Sequence, residues 1–457
     1  MKKVCKILTP GQIPIVALQL FSDDAIHTTV QNQEKLKEII KAAVECGFNL
    51  AMQDVSQCVS DESQIQGILK AMELTGLKML LGYSKLLNPQ ECESFVNGFK
   101  SYASLAGWYL STIPKFSQIS NVRDCYDRIL ENDPDHSVYI RLYQQLDSDY
   151  TSKCKSYLDY LRCLQGYSYF INNSGTRELV MQDEHTEGLK PMIWSNCFDP
   201  VSDNAVRPYY YKTVYSYAAF YKNLRYLRQI SLESGNPFWA FCRCEKEKTM
   251  SLYLKGTPAI MRLMCYSALA YGAQGLIFSS YQQRADENGK QIFGSPIDSD
   301  GNRTEMWYNV QSLISEIRSY THIFLGGQPV DIRHSGDLGI DQFNQGTGNS
   351  FGPCESISAG TKGVLHVLYK NKHRNYLIIV NHDIDNSQTV TLRFNNSWKI
   401  VEETPNKLSG LAVSATPAPS QNTLNEGISI GTTTTYSRTI TVNRIIEPGG
   451  WLIYRYE

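Results

Sequence analysis

Between residues 14 and 322 the chain alternates short apolar runs, rich in β-branched and aromatic residues, with longer stretches in which apolar side chains recur at helical spacing. The apolar runs begin at Pro14 (PIVALQLF), Phe48 (FNLAMQDV), Leu77 (LKMLLGYS), Ala106 (AGWYLST), Ser137 (SVYIRLYQQL), Tyr167 (YSYFINN), Pro237 (PFWAFCRC) and Ala273 (AQGLIFSSY). Helices fall between them. QEKLKEIIKAAVECG closes on Gly47, where a left-handed cap is wanted, and PAIMRLMCYSALAYG opens on Pro258 and ends on Gly272. Eight strand–helix units in succession predict an α/β fold, a (β/α)₈ barrel over residues 1–324, whose ligand site lies at the carboxyl ends of the strands. The segment around 176–211, which contains KPMIWSNCFDP, is too long for a plain connection. It reads as an insertion over the barrel mouth, or else as the carrier of an extra strand that shifts the count.

After about Leu325 the helical period stops. GVLHVLYKN, NYLIIVNHD, QTVTLRF, WKIVEE, SRTITVNRI and GGWLIYRY follow as short strands with turn residues between them, which predicts a smaller antiparallel β-sandwich over 325–457. In this region Val390, Leu392 and Phe394 alternate with Thr389, Thr391 and Arg393, one buried face against one wet face. The Ser/Thr/Pro-rich stretch 404–436 is expected to be a long loop.

A length of 457 residues supports the same division into one large and one smaller unit. With 44 basic against 45 acidic residues, the charge carries no footprint of nucleic-acid binding or of an anionic membrane surface, and a neutral partner fits better. The 29 tyrosines suit contact with an oligosaccharide or glycoside, though protein interfaces use the same chemistry. The 12 cysteines show no Cys-x-x-Cys or Cys/His metal spacing and read as mostly reduced, buried thiols, with a disulfide or two as the alternative. No Gly-rich phosphate loop follows a strand and the histidines are dispersed, so neither a cofactor nor a metal is expected. No apolar run reaches the ~18 to 20 residues that span a bilayer. The opening MKKVCKILTPGQIP lacks the apolar stretch of an export signal, which leaves the compartment open between cytoplasmic and, after trimming, periplasmic or extracellular. Oligomeric state is not legible.

AGWYL at the fourth run, NPFWAF at the seventh, SALAYGAQGLIFSSY at the eighth and DSDGNRTEMWYNVQSLISEI beyond it together resemble the β-galactosidase-like (β/α)₈ glycoside hydrolases, and the closing EPGGWLIYRY resembles the last strand of the β-sandwich such proteins often carry. The resemblance implies hydrolysis of O-glycosidic bonds. It also implies an acidic residue and a general acid/base glutamate at the end of the fourth strand, positions that fall here on Thr112 and Ile113. The nucleophile is implied near the end of the seventh strand, at Glu245 or Glu247.

Glycoside cleavage with retention needs two carboxyl groups ~5 to 5.5 Å apart, and an isoleucine supplies neither role. Two readings therefore stand: a hydrolase with a relocated acid, or a carbohydrate-binding relative that has lost hydrolysis, a pseudoenzyme. Glu245 is either the nucleophile or its relic, or a solvated charge beside Lys246. Asp54 directly follows the second strand, where it hydrogen-bonds a ligand hydroxyl or caps the next helix. Asp199 reaches over the site from the insertion or makes an Asp-Pro turn. Arg141, Gln144 and Asn173 offer hydrogen bonds to neutral hydroxyls at the ends of the fifth and sixth strands, Asn173 with a turn role as its alternative. Trp108 and Trp239 sit in strand bodies, their neighbours Tyr109 and Phe238 pointing the opposite way, so one of each pair faces the interior or mouth. Tyr281 is either a sugar-stacking platform or plain packing.

Overall fold

The computed structural model describes residues 11–21, 33–56, 59–110, 119–142, 157–164, 167–171, 177–181, 192–193, 195, 217–244, 257–285, 291–292, 294–336, 350–395, 397–405 and 439–457. They divide into two compact units, Met1–Thr257 with Ala273–Arg318, and Pro258–Gly272 with Ser319–Glu457.

In the first unit the elements run β1 (Ile15–Leu18), α1 (Gln33–Cys46), β2 (Leu50–Asp54), α2 (Glu62–Thr75), β3 (Lys78–Gly82), α3 (Cys92–Phe99), β4 (Leu105–Leu110), α4 (Ile119–Asn132), β5 (Ser137–Ile140), α5 (Tyr157–Leu164), β6 (Tyr167–Ile171), β7 (Arg177–Met181), α6 (Tyr217–Ser234), β8 (Trp239–Arg243), β9 (Gly275–Ser279) and the short pair β10 (Arg284–Ala285) and β11 (Gln291–Ile292). Seven strands form one parallel sheet in the order β5-β4-β3-β2-β1-β9-β8. The sheet curls: rings of its two edge strands, Tyr139 of β5 and Trp239 of β8, stack across the interior with centroids 6.2 Å apart. Among the described residues it does not close. The expected sixth strand, β6, pairs antiparallel with β7. Only five residues separate β6 from β7, enough for a hairpin but far short of the dozen or more that a parallel crossover needs.

Local chemistry sets the ends of the helices. Asp61 caps α2, its carboxylate accepting from the backbone N–H of Ser63 at 2.8 Å and of Gln64 at 3.3 Å. Gly76, at φ 76°, closes the same helix by donating its N–H to the Met72 carbonyl. The buried stripe of α2, Ile65, Ile68, Leu69 and Met72, has helical spacing. Gly47 ends α1 as expected, at φ 108°, and a Cβ there would lie 2.7 Å from Ile314.

The second unit contains α7 (Pro258–Ala270), followed after β9 by α8 (Glu305–Ser319), which lies mainly in the first unit, and the short α9 (Thr321–Phe324). Eight strands complete it: β12 (Gln328–His334), β13 (Cys354–Ser358), β14 (Val364–Asn371), β15 (Arg374–Asn381), β16 (Gln388–Asn395), β17 (Ile400–Glu403), β18 (Thr439–Ile446) and β19 (Trp451–Tyr456). They make two antiparallel sheets, β12-β14-β15-β19-β17 and β13-β16-β18. Leu377, Ile379 and Tyr454 of the first share a core with Val390, Leu392 and Phe394 of the second. The alternation read along β16 is observed, Val390, Leu392 and Phe394 buried between more accessible neighbours. Tyr266 of α7 stacks on Trp451 at 3.8 Å, and Arg262 donates to the Pro448 carbonyl at 2.8 and 3.1 Å. Trp451 is thus a packing residue of this unit, while Trp398 is 38% exposed beside Tyr456.

Candidate functional site

All seven strands of the curled sheet point the same way, so their carboxyl ends share one rim. Which side chains face inward follows from the apolar interior: Val16 and Leu18 of β1, Leu50 and Met52 of β2, Leu80 of β3, Ala106 and Tyr109 of β4, Tyr139 of β5, Trp239 and Phe241 of β8 and Ile277 of β9 form one buried cluster. Successive side chains alternate faces along a strand. One step of two residues toward the rim from these positions brings Asp54, Gly82, Arg141, Arg243 and Ser279 to the inward face. Apart from Gly82 they are half-buried, whereas the layer beneath them is closed to solvent.

Asp54 is held by an Asx turn. Its Oδ1 accepts from the Ser56 N–H at 2.9 Å and the Ser56 hydroxyl at 2.5 Å, and the Ser56 Oγ accepts from the Ser84 N–H at 2.7 Å. The cap of the following helix is Asp61, so Asp54 keeps its rim position free of that role. Glycine at position 82 makes room for its neighbours, since a Cβ there would lie 3.0 Å from the Tyr109 carbonyl and 3.1 Å from the Tyr109 ring.

Strand β4 carries a register shift opposite Met79 and Leu80, and a Cβ at Gly107 would fall 2.3 Å from the Ser137 carbonyl. The irregularity puts Tyr109, together with Ala106, on the inside. Trp108 consequently points to the helix layer, where its indole N–H donates to the Asp133 carboxylate at 2.8 Å and its ring meets the edge of Phe95. Trp239 faces the interior and lies against Gly275, whose absent side chain leaves the indole its space: a Cβ there would come within 2.8 Å of the ring. Tyr281 is fully buried with its ring edge-on to Phe48 at 5.2 Å. A stacking platform needs one open ring face, and neither Trp108 nor Tyr281 presents one to solvent. Gln144, Asn173, Asp199 and Glu245, together with Thr112 and Ile113, lie outside the described residues.

Arg243 and Ser279 join the rim without having been singled out in the sequence. The signal was the two-residue period counted from Trp239 and from Ile277. Two glutamines set within apolar runs also acquire roles. Gln19 stands at φ 56°, in the left-handed region that non-glycine residues rarely enter. It is held there by its N–H to the Met52 carbonyl at 3.0 Å, by the Gln282 N–H on its own carbonyl at 3.2 Å, and by the Ser280 hydroxyl on its Oε1 at 2.6 Å. Gln53 is buried, and its Oε1 accepts from the Phe21 N–H at 3.2 Å. These amides tie together the carboxyl ends of β1, β2 and β9.

At the open side of the sheet, Met192, Ile193 and Ser195 lie beside β5. Ile193 is part of the interior cluster, the Leu142 N–H donates to the Ser195 carbonyl at 3.2 Å, and the Val138 N–H meets the Met192 sulfur at 3.5 Å.

No helix among the described residues is long and apolar enough to cross a membrane. No family model matches the chain, and no curated protein matches it. Solved structures do. A β-galactosidase from Bacillus circulans sp. alkalophilus superimposes with a TM-score of 0.53 at 9% identity, covering 98% of this chain and 99% of that one. A family 5 glycoside hydrolase from Bacteroides vulgatus gives a TM-score of 0.53 at 9% identity over 97% of this chain and 89% of its own. The chain spans 60% of the length of a β-galactosidase from the psychrophilic Marinomonas ef1, with a TM-score of 0.47 at 8% identity over 67% of its own residues, a likeness too slight to bear on the fold. In architecture the curled parallel sheet with its helices and antiparallel sheets is thus similar to these two solved structures, at an identity that speaks to fold alone.

Proposed function

We propose that this chain is a glycoside-hydrolase-like protein that binds a glycoside or oligosaccharide at the carboxyl-end rim of its parallel sheet. The observation that carries the reading is the inward polar rim of Asp54, Arg141, Arg243 and Ser279 above a dry apolar interior, in a fold shared with glycoside hydrolases. A few polar groups converging over apolar walls are what a small-ligand site requires. The proposed architecture is an eight-stranded barrel over residues 1–324 with a sandwich over 325–457. Ile193 and Ser195 stand beside β5 at the open edge, where the eighth strand is proposed, a position supported by the Leu142–Ser195 hydrogen bond and the burial of Ile193. Helix α7 belongs to that barrel by its place along the chain between β8 and β9.

Asp54 is the described carboxylate on the rim, and Glu245, two residues beyond Arg243, is the proposed nucleophile or its relic. Gln144, Asn173 and Asp199 are proposed as further ligand contacts, with Trp239 in the closed apolar layer beneath the rim. Ile113, at the position where the resembled family carries its acid/base glutamate, favours the second reading, a binding protein without hydrolysis. Loss of a general acid raises the barrier by about 3 to 5 kcal/mol, yet leaves sugar binding untouched.

A panel of aryl glycosides for turnover, and oligosaccharides tested for a rise in melting temperature, decide between them. Ligand-induced stabilisation is expected. Turnover that disappears in Glu245→Gln marks a hydrolase, and stabilisation without turnover marks a binding protein. If no sugar produces either effect, the carbohydrate reading falls.

A further inference from the structure

Three side chains and a carbonyl of the second unit are joined in one hydrogen-bonded chain. The hydroxyl of Tyr271, directly after α7, lies 2.8 Å from His334 Nε2, His334 Nδ1 lies 3.2 Å from His382 Nε2, and His382 Nδ1 lies 3.3 Å from the Lys362 carbonyl. All three side chains are buried. A carbonyl only accepts, so the neutral His382 ring carries its proton on Nδ1 and accepts at Nε2. His334 must then donate from Nδ1, which leaves its Nε2 to accept from the Tyr271 O–H. With neutral rings the chain is satisfied in one direction, Tyr271 to His334 to His382 to Lys362. Burial enforces that neutrality, pushing His334 well below the ordinary histidine range and His382 to about 3, with His366 adding to both.

A further proton breaks this order. On His382 Nε2 it would confront the Nδ1–H of His334, and on His334 Nε2 the hydroxyl proton of Tyr271, two donors face to face in either case. The charged and titratable groups on the described elements around the pair are His366 of β14, Asp331 ion-paired with Arg333 on β12 at 3.0 Å, Lys362 ahead of β14, Asp383 after β15 with its Oδ1 accepting from the N–H of Asp385 and Asn386, and Arg262 of α7 with Glu447 at 3.4 Å.

Both ends of the link are places where the fold opens with little loss. His334 is the last residue of β12, which among the described residues pairs only with β14 and so forms a sheet edge. Tyr271 is followed by Gly272 at φ 99°, where the helix ends. Earlier turns of α7 have their own anchors, Tyr266 on Trp451 and Arg262 on the Pro448 carbonyl. Fraying one strand end and one helix end breaks few hydrogen bonds and leaves those anchors in place.

We propose that Tyr271, His334 and His382 form an acid-released latch, which ties the C-terminal end of α7 to the end of β12 and opens while the sheets stay folded. Released into water, the two imidazoles return to about 6.5 and take up protons that the closed latch does not hold. The latch is at full strength above about pH 6.5 and weakens as the pH falls below it. It sits where the chain leaves the second unit for the first, between Gly272 and Ala273.

The test is hydrogen exchange of the full-length chain at pH 6.5 and pH 5, corrected for the pH dependence of intrinsic exchange. Its reporters are the amides of Tyr271 and Gly272, bonded to the Ser267 and Leu269 carbonyls, and of Ser335, bonded to the Val364 carbonyl. Over that interval one histidine returning to about 6.5 raises the opening constant by at most about sixteenfold, and two by about the square of that. Protection at the reporters is expected to fall more than sixteenfold, with the amides of Leu377 to Val380 in β15 unchanged. His382→Gln should hold the fall to sixteenfold or less, and Tyr271→Phe should lower protection at both pH values without altering their ratio. If a variant does not fold, nitrogen-15 NMR of the wild-type chain decides, since the latch requires the Nδ1–H tautomer on both His334 and His382. An Nε2–H tautomer on either ring overturns the proposal. So does reporter protection that is equal at the two pH values, or that falls in step with β15, which would mark global unfolding instead of a local release.

Discussion

The two units bury their strands differently. In the parallel sheet, β1, β4 and β5 are buried at every position, and β2 and β8 at all but the last. In the antiparallel unit, β16 buries alternate residues and leaves Thr389 and Arg393 exposed. A parallel sheet is covered on both faces, so apolar side chains occupy both phases of the two-residue period, whereas a sheet with one wet face writes its orientation into the sequence. The sandwich strands therefore announce their inner face, and the parallel strands conceal it.

The largest expected effect tests this two-sided burial directly. Trp239 faces the interior of the sheet and Trp108 the helices, yet both are fully buried. Trp239→Ala and Trp108→Ala should each destabilise the chain by about 3 to 5 kcal/mol in denaturant titrations. The comparison breaks if either loss is under about 1 kcal/mol, since that face would then not be a packed one.

A second effect, smaller for any one substitution, separates the units by pH. His334 and His382 of the second unit are stacked with Nδ1 and Nε2 3.2 Å apart, Tyr271 meets the other His334 nitrogen at 2.8 Å, and His366 lies edge-on to Phe351. Burial is the leading cause that holds these imidazoles neutral. His366 is pulled down to about 4 and His382 to about 3, and His334 lies well below the usual histidine range, with the neighbouring His382 and His366 adding to the effect. Unfolding returns each to about 6.5, so between that value and the folded ones the unfolded chain binds protons that the native chain does not. Stability is full above about pH 6.5 and falls as the pH drops toward 4, by up to about 1.4 kcal/mol per pH unit for each histidine. Titrations at pH 7 and pH 4.5 should show the loss, and His366→Gln should reduce it. Among the described residues the core of the first unit contains no buried histidine, so an unchanged acid sensitivity in that variant would remove the distinction.

The smallest effect sharpens the contrast from the other side. Arg393 is on the wet face of β16, and Arg393→Ala should change stability by no more than about 0.5 kcal/mol, against about 2 to 5 kcal/mol for Leu392→Ala one residue away. No pair of adjacent residues in the body of β5 should show such a contrast.

The same difference explains how much of the site was legible. Asp54 and Arg141 were singled out because each follows an apolar run directly, and a residue just past a parallel strand stands on the rim wherever the sheet curls. Arg243 closes its strand, but its facing depends on whether Trp239 or Phe238 points inward, and both are bulky and apolar. The face of Trp108 turned on the irregularity at Gly107, where close approach of the Ser137 carbonyl leaves no room for a Cβ; nothing local in AGWYL marks that approach. Gln19 is a polar residue inside the apolar run PIVALQLF, and its clamp is made by Met52, Ser280 and Gln282, residues far away in the chain.

By itself the sequence determined which segments become strands and helices, because local propensity, apolar period and the capping residues Asp61, Gly47 and Gly76 act within a few residues of one another. It determined the inner face of the sandwich strands for the same reason, since one wet face makes burial periodic. Only the tertiary structure decided which residues of the parallel strands look inward, that β6 pairs with β7 instead of joining the seven-stranded sheet, and that two arginines from its opposite edges share one rim. Those outcomes depend on strand order, curl and close backbone approach, contacts between residues distant in the chain that no local pattern of apolar and polar positions encodes.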